Sequence, residues 1–142
     1  LRRARSAAVS IVPTSTGAAI ATPEAIPELA GLFDGIALRV PVPVGSISDF
    51  TFLVSKKTTV EEVNDALIEA SKSDRYKGIL AVSDDPIVSS DIVGRTESAI
   101  ADLPLTKVID GDMIKVFAWY DNELGYSHRL IEQVIRVGKH GV

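Results

Sequence analysis

Three clusters of side chains in this 142-residue sequence have types and spacings suited to chemistry. Near the start, Arg2, Arg3 and Arg5 precede the run Pro13-Thr14-Ser15-Thr16-Gly17, followed by the small residues Ala18 and Ala19. Thr16 stands where a helix N-cap belongs, and the small residues after it let a ligand approach free backbone N–H groups. A helix start of this kind suits an oxyanion, and a nearby guanidinium adds a two-pronged donor. The competing explanation is that Thr16 caps its own helix while the arginines form a solvated end. Arg39 lies inside the apolar stretch Ile36-Ala37-Leu38-Arg39-Val40-Pro41. An always-charged group there must reach the wet face of a sheet or be paired. Alternation sets it opposite Leu38 and Val40, so a solvent-facing arginine accounts for it equally well. The third cluster, Trp119-Tyr120-Asp121-Asn122-Glu123, falls where a strand gives way to the last helix, a frequent place for ligand-binding side chains. Asn122 both donates and accepts, which fits a carboxamide. An Asp/Asn turn closed by local backbone hydrogen bonds is the alternative.

Other chemistries find less support. His128 and His140 show no metal-ligand spacing, and there is no GxGxxG, Walker loop or paired-histidine motif. No metal site and no catalytic residue is expected within the chain. Without cysteine there is no disulfide, thiolate metal site or thiol nucleophile. Fifteen basic against nineteen acidic residues leave a net charge of −4, which argues against a general binder of nucleic acid or anionic membranes. No apolar run approaches the roughly 18 residues of a membrane span. The arginine-led start faintly imitates a secretory leader, but Ser10, Pro13 and the Thr14-Ser15-Thr16 cluster break its apolar part too early. A cytoplasmic location is therefore expected. Met113 is the sole methionine, so the sequence begins without an initiator and reads as a piece of a longer polypeptide.

The elements that must position these clusters follow from hydrophobic period and turn chemistry. With 46% hydrophobic and 24% charged residues, the chain has a globular balance and the length of one domain. Ala7 to Val12 is a short apolar segment, and Pro13 to Gly17 reads as a turn. Ala18 to Ala21 begins a small helix, and Thr22-Pro23 reads as the cap and first position of a second one. Ile36 to Val42 and Ile47 to Val54 read as strands, the latter with Phe50, Phe52 and Val54 on one face. Thr59 to Lys72 is the clearest helix, opened by a Thr59/Glu62 capping box and carrying Val60, Val63, Leu67 and Ala70 at the helical period. Gly78 to Val82 and Ile87 to Val93 are apolar stretches around an acidic turn. Asp110-Gly111 predicts a hairpin between Lys107–Ile109 and Met113–Trp119. Gly125 to Val137 predicts an amphipathic helix with Gly138 as its C-cap. The sum is an α+β fold with a mixed, mostly antiparallel sheet packed with helices.

The same three clusters, in the same order, resemble the C-terminal part of phosphorylating glyceraldehyde-3-phosphate dehydrogenases. The segments that carry the likeness are Leu1-Arg2-Arg3-Ala4-Arg5, Ile11-Val12-Pro13-Thr14-Ser15-Thr16-Gly17-Ala18-Ala19, Pro27-Glu28-Leu29, Leu38-Arg39-Val40-Pro41, Tyr76-Lys77-Gly78-Ile79-Leu80, Val88-Ser89-Ser90-Asp91 and Trp119-Tyr120-Asp121-Asn122-Glu123-Leu124-Gly125-Tyr126-Ser127. The family oxidises its aldehyde through a cysteine thiohemiacetal, passes hydride to NAD or NADP, and cleaves the thioester with inorganic phosphate. The resemblance implies that Arg3, Thr16 and Gly17 belong to the pocket for the attacking phosphate. It implies that Arg39 clamps the phosphate of the substrate, that Asn122 holds the nicotinamide carboxamide and that Tyr126 packs near the ring. It also implies that residues 1–142 form a partial catalytic domain, incomplete at its N-terminal side. The nucleophilic cysteine, the histidine base and the dinucleotide-binding domain would then lie upstream. The partners implied are glyceraldehyde 3-phosphate, inorganic phosphate, that missing N-terminal portion and further copies, up to a homotetramer.

Two alternatives remain beside this reading: a paralogue acting on erythrose 4-phosphate, and a catalytically silent interaction module. Leu124 replaces a frequent aromatic of the family, Ser71 to Arg75 looks slightly long, and Pro104-Leu105 interrupts a region usually small and polar. On the leading reading, Arg3, Thr16 and Arg39 are expected to share one hollow.

Overall fold

A computed structural model describes residues 2–140, apart from the side chain of His140; Leu1, which opens the arginine motif, lies outside the described residues. The chain divides into two compact units, one ending at Pro43 and the other starting at Val44.

The first unit is a two-stranded sheet with short helices. A 3-10 turn at Arg2–Ala4 is followed by β1 (Val12–Ser15), α1 (Ala18–Ala25), a second 3-10 turn at Pro27–Leu29 and β2 (Ile36–Arg39). β1 and β2 are antiparallel, with Val12 opposite Arg39 and Ser15 opposite Ile36. Three expectations are corrected here. Pro13 to Ser15 is strand rather than turn, which a proline tolerates on a strand paired along one edge. One helix runs through Thr22-Pro23, where two had been expected; Pro23 forfeits a single backbone bond, and Ile26 N–H still reaches the Thr22 carbonyl. β2 stops at Arg39 rather than Val42, just short of Pro41, which has no N–H to donate to a ladder. Val12 is buried in this unit, whereas Ile36 and Leu38 are 74% and 57% exposed.

The second unit holds β3 (Ser46–Leu53), α2 (Val60–Lys72), β4 (Leu80–Ser83), β5 (Ala99–Asp102), β6 (Lys107–Ile109), β7 (Met113–Tyr120) and α3 (Leu124–His140). The strand order is β3-β7-β5-β4, with β6 also pairing β7. β4 and β5 run parallel and every other pairing is antiparallel, so the sheet is mixed and mostly antiparallel, and the fold is α+β as the pattern predicted. Ile92, Ile100, Ala101, Leu103, Ile114 and Ala118 are buried and form its core. Asp102 is buried with them and accepts a 2.9 Å hydrogen bond from the Trp119 indole N–H, as a polar group taken out of water requires.

Local chemistry explains most boundaries. Thr59 Oγ1 accepts from Glu62 N–H at 3.2 Å, and the Glu62 carboxylate accepts from Thr59 N–H at 3.3 Å, completing the capping box of α2. Thr59→Ala should lower stability by about 1 kcal/mol in urea unfolding, the typical worth of such a cap. Asp110 and Gly111 take φ of 50° and 76°, the pair of positive values a tight hairpin between β6 and β7 demands. Lys57 fastens this turn, donating to the Asp110 carbonyl and, at 2.9 Å, to the Asp112 carboxylate. Within Ile87 to Val93, Ser89–Ile92 coils into a 3-10 turn whose Asp91 carboxylate accepts from Val88 N–H. α3 continues through Gly138, so this glycine is not a C-cap.

Candidate functional site

In the first unit, Arg3 lines a shallow hollow of about 610 Å³ together with Arg2, Thr14, Ser15 and Asp34. Two guanidiniums and strand hydroxyls favour an anion there, while the Asp34 carboxylate opposes one. Asp34 is partly occupied in accepting the N–H of Gly35 at 2.7 Å. Thr16 and Gly17 lie just beyond β1, at the start of α1. The N-cap position belongs to Gly17, and Thr16 stands one residue outside it; its Oγ1 accepts from Ala18 N–H at 3.2 Å. That hydroxyl therefore serves its own helix, while Gly17 has open space where a Cβ would sit.

Arg39 is exposed at the far end of β2, and among the described residues it makes no ion pair. Of Arg3, Thr16 and Arg39, which were expected to share one hollow, only Arg3 lines the hollow beside β1. The antiparallel register places Arg39 opposite Val12, four positions from Thr16, which is about 13 Å of strand.

The second unit builds the Asn122 site from three directions. Asn122 lies two residues beyond β7, whose last residue, Tyr120, pairs with Ser46 of β3. Its side-chain Oδ1 accepts from Gly45 N–H at 3.1 Å and lies 3.4 Å from Ser46 Oγ. A backbone N–H needs an acceptor, so the amide oxygen faces Gly45 and the amide nitrogen is turned away with both hydrogens to offer. Gly45 has φ of 96°, and a Cβ on it would come within 3.0 Å of the Ser89 carbonyl oxygen. Backbone conformation and close approach both demand glycine there. Tyr126, in the first turn of α3, is 70% exposed.

Asp121, next to Asn122, went unremarked as a tertiary tie. One carboxylate oxygen accepts from Glu123 and Leu124 N–H, both at 2.9 Å, and so caps α3. The other accepts from Gly94 N–H at 2.9 Å, in a loop 27 residues earlier. The helical cap was legible as an Asp/Asn turn, but the reach to Gly94 has no local sequence signal. The N–H groups of Leu124 and then Gly94 hold the carboxyl below the aspartate range near 3.8, outweighing the cost of burial. Stability from this group is accordingly complete above that range and is lost as pH falls through the lowered value. Acid unfolding of Asp121→Asn should lack this component, which a denaturant series from pH 5 down to about pH 2 would reveal.

His128 sits beside Arg129 and Glu132 on α3, and the Arg129 guanidinium donates to the Gly78 carbonyl at 2.9 Å. Among the described residues no group of three His, Asp or Glu could hold a metal, and no helix is long and apolar enough to cross a membrane.

The second unit is thus an α+β fold that holds a fixed carboxamide where a strand gives way to a helix. Comparison with known proteins places it more narrowly. The profile of the glyceraldehyde 3-phosphate dehydrogenase C-terminal domain matches residues 1–122. The chain is 56% identical over 139 residues to a glyceraldehyde-3-phosphate dehydrogenase of Mycobacterium tuberculosis, covering 98% of this chain and 40% of that protein. It is 52% identical over 138 residues to glyceraldehyde-3-phosphate dehydrogenase 1 of Streptomyces avermitilis, covering 97% of this chain and 41% of that protein. The chain belongs to the glyceraldehyde-3-phosphate dehydrogenase family and matches the C-terminal part of its members. It spans about two fifths of the length of these relatives.

Proposed function

We propose that this chain supplies phosphate-binding and nicotinamide-orienting residues to a phosphorylating glyceraldehyde-3-phosphate dehydrogenase. The cysteine nucleophile, the histidine base and the dinucleotide-binding domain belong to an N-terminal portion upstream of these residues. The observation that carries the reading is the Asn122 amide, whose oxygen is engaged by Gly45 and whose nitrogen is left to donate. That arrangement fits the carbonyl of a nicotinamide carboxamide. When bound, NAD or NADP accepts the hydride; the chain's own part is to hold the ring at one angle, with Asn122 on the carboxamide and Tyr126 against the ring.

Phosphate recognition falls to two groups. Arg3, Thr16 and Gly17 receive the attacking inorganic phosphate, and Arg39 binds the phosphate of the aldehyde substrate. The distance between Arg39 and Thr16 suits two separate anions better than one. The relatives bear the triose-phosphate name, which favours glyceraldehyde 3-phosphate over erythrose 4-phosphate, and neither the tetrose alternative nor a silent module gains a supporting feature.

Assembly follows from surface chemistry. α3 leaves Leu130, Ile131, Val134 and Ile135 more than half exposed, and β2 leaves Ile36 and Leu38 so. Apolar surface of this extent calls for a cover. We assign that cover to the N-terminal portion and to further copies, as a cytoplasmic homotetramer. Mixing the chain with the N-terminal portion should give aldehyde- and phosphate-dependent cofactor reduction, followed by absorbance. The chain alone should give none. Inactivity of the mixture, or activity of the chain by itself, would overturn the proposal.

A further inference from the structure

Asn122 is gripped at its amide by Gly45, but its backbone is set by its neighbours. Asp121 is 4% exposed, and its two carboxylate oxygens serve different parts of the fold. One closes the first turn of α3; the other binds the Gly94 N–H. A helix cap needs only the first of these. Gly125 adds a second point of seating on the same segment: a Cβ there would come within 3.1 Å of the Glu97 carbonyl oxygen. The start of α3 is thus pressed against residues 94–98 at two positions, and Asn122 lies at that joint.

We propose that Asp121 is a positioning residue for the nicotinamide: it fixes the Asn122 backbone by clasping Gly94 to the start of α3, without itself touching the cofactor. The inference rests on the functional reading of Asn122 given above. The chemistry of the clasp is specific to a carboxylate. Asparagine has one acceptor oxygen, so it can serve the helix or Gly94 but not both. Serine can cap the helix yet is too short to hold both partners.

The test uses the dehydrogenase assembled from this chain and its N-terminal portion, comparing Asp121→Asn and Asp121→Ser with the parent. Both variants should raise KM for NAD about tenfold, the effect of misplacing one hydrogen bond to the ligand. KM for aldehyde and for phosphate should stay within about twofold. A purely structural cap would leave cofactor KM unchanged in the folded fraction, and Asp121→Ser would then match the parent; that result overturns the inference. Should neither variant fold, amide exchange in the unsubstituted assembly decides. Gly94 and Leu124 should open with the same free energy, because one group holds both. A Gly94 amide that exchanges far faster overturns the clasp. An inactive parent would instead sink the functional reading, and the inference with it.

Discussion

Replacing Arg39 by alanine is expected to weaken binding of the substrate phosphate by about 2 kcal/mol, roughly thirtyfold, with no loss of stability. The magnitude is that of one charge-assisted hydrogen-bonding group removed from an anion. The stability half of the expectation comes from the structure. Arg39 is exposed at the end of β2 and holds no ion pair among the described residues, so the fold has little to lose. Arg39→Lys should recover part of the affinity, since it keeps the charge but lacks the planar fork. Substrate KM in the assembled enzyme, set beside thermal unfolding of each variant, checks both halves. A parallel fall in melting temperature would assign Arg39 to structure, and unchanged KM would remove it from the site.

The second large effect is expected at Gly45. Alanine there must adopt φ near 96° and bring its Cβ to 3.0 Å from the Ser89 carbonyl oxygen. Left-handed backbone costs an ordinary residue about 1–2 kcal/mol, and a methyl forced into packed surroundings adds about 1–3 kcal/mol. Gly45→Ala should therefore lower unfolding free energy by about 2–5 kcal/mol in urea, summing those two costs. Relief of the clash would move the Gly45 N–H away from Asn122, freeing the amide to flip. Cofactor KM should rise in any variant that still folds. Ser46→Ala makes a useful contrast, because its 3.4 Å approach to Asn122 is long and its loss should have little effect on either measurement.

What could be read from the residues alone was what neighbours along the chain decide. The Thr59/Glu62 box and the Asp110-Gly111 turn appear where their local chemistry puts them, and the period of Val60, Val63, Leu67 and Ala70 marks α2 without help from elsewhere. β5 escaped notice because Ala99, Ala101 and Asp102 carry little strand preference; its conformation comes from pairing with β4 on one side and β7 on the other. Pro23 misled for the converse reason. A proline signals a boundary, yet a short helix can forgo one bond. At the site, Asn122 stood out as a side chain able both to donate and to accept. Which way its amide points depends on Gly45, 77 residues distant, and Asp121 depends on Gly94 in the same manner. Pairings of that range leave no periodic trace.

The ribbon formed by β1 and β2 has a thermodynamic consequence for phosphate. Two strands with one well-buried residue, Val12, are marginal in water without further packing. Any anion that prefers the ordered ribbon then binds with its intrinsic affinity multiplied by the fraction ordered. Whatever covers Ile36 and Leu38 raises that fraction and tightens the anion. By reciprocity, an anion bound there would strengthen association with that cover by the same factor. Ligand and subunit would act as mutual effectors through a strip of chain only four residues wide on each side.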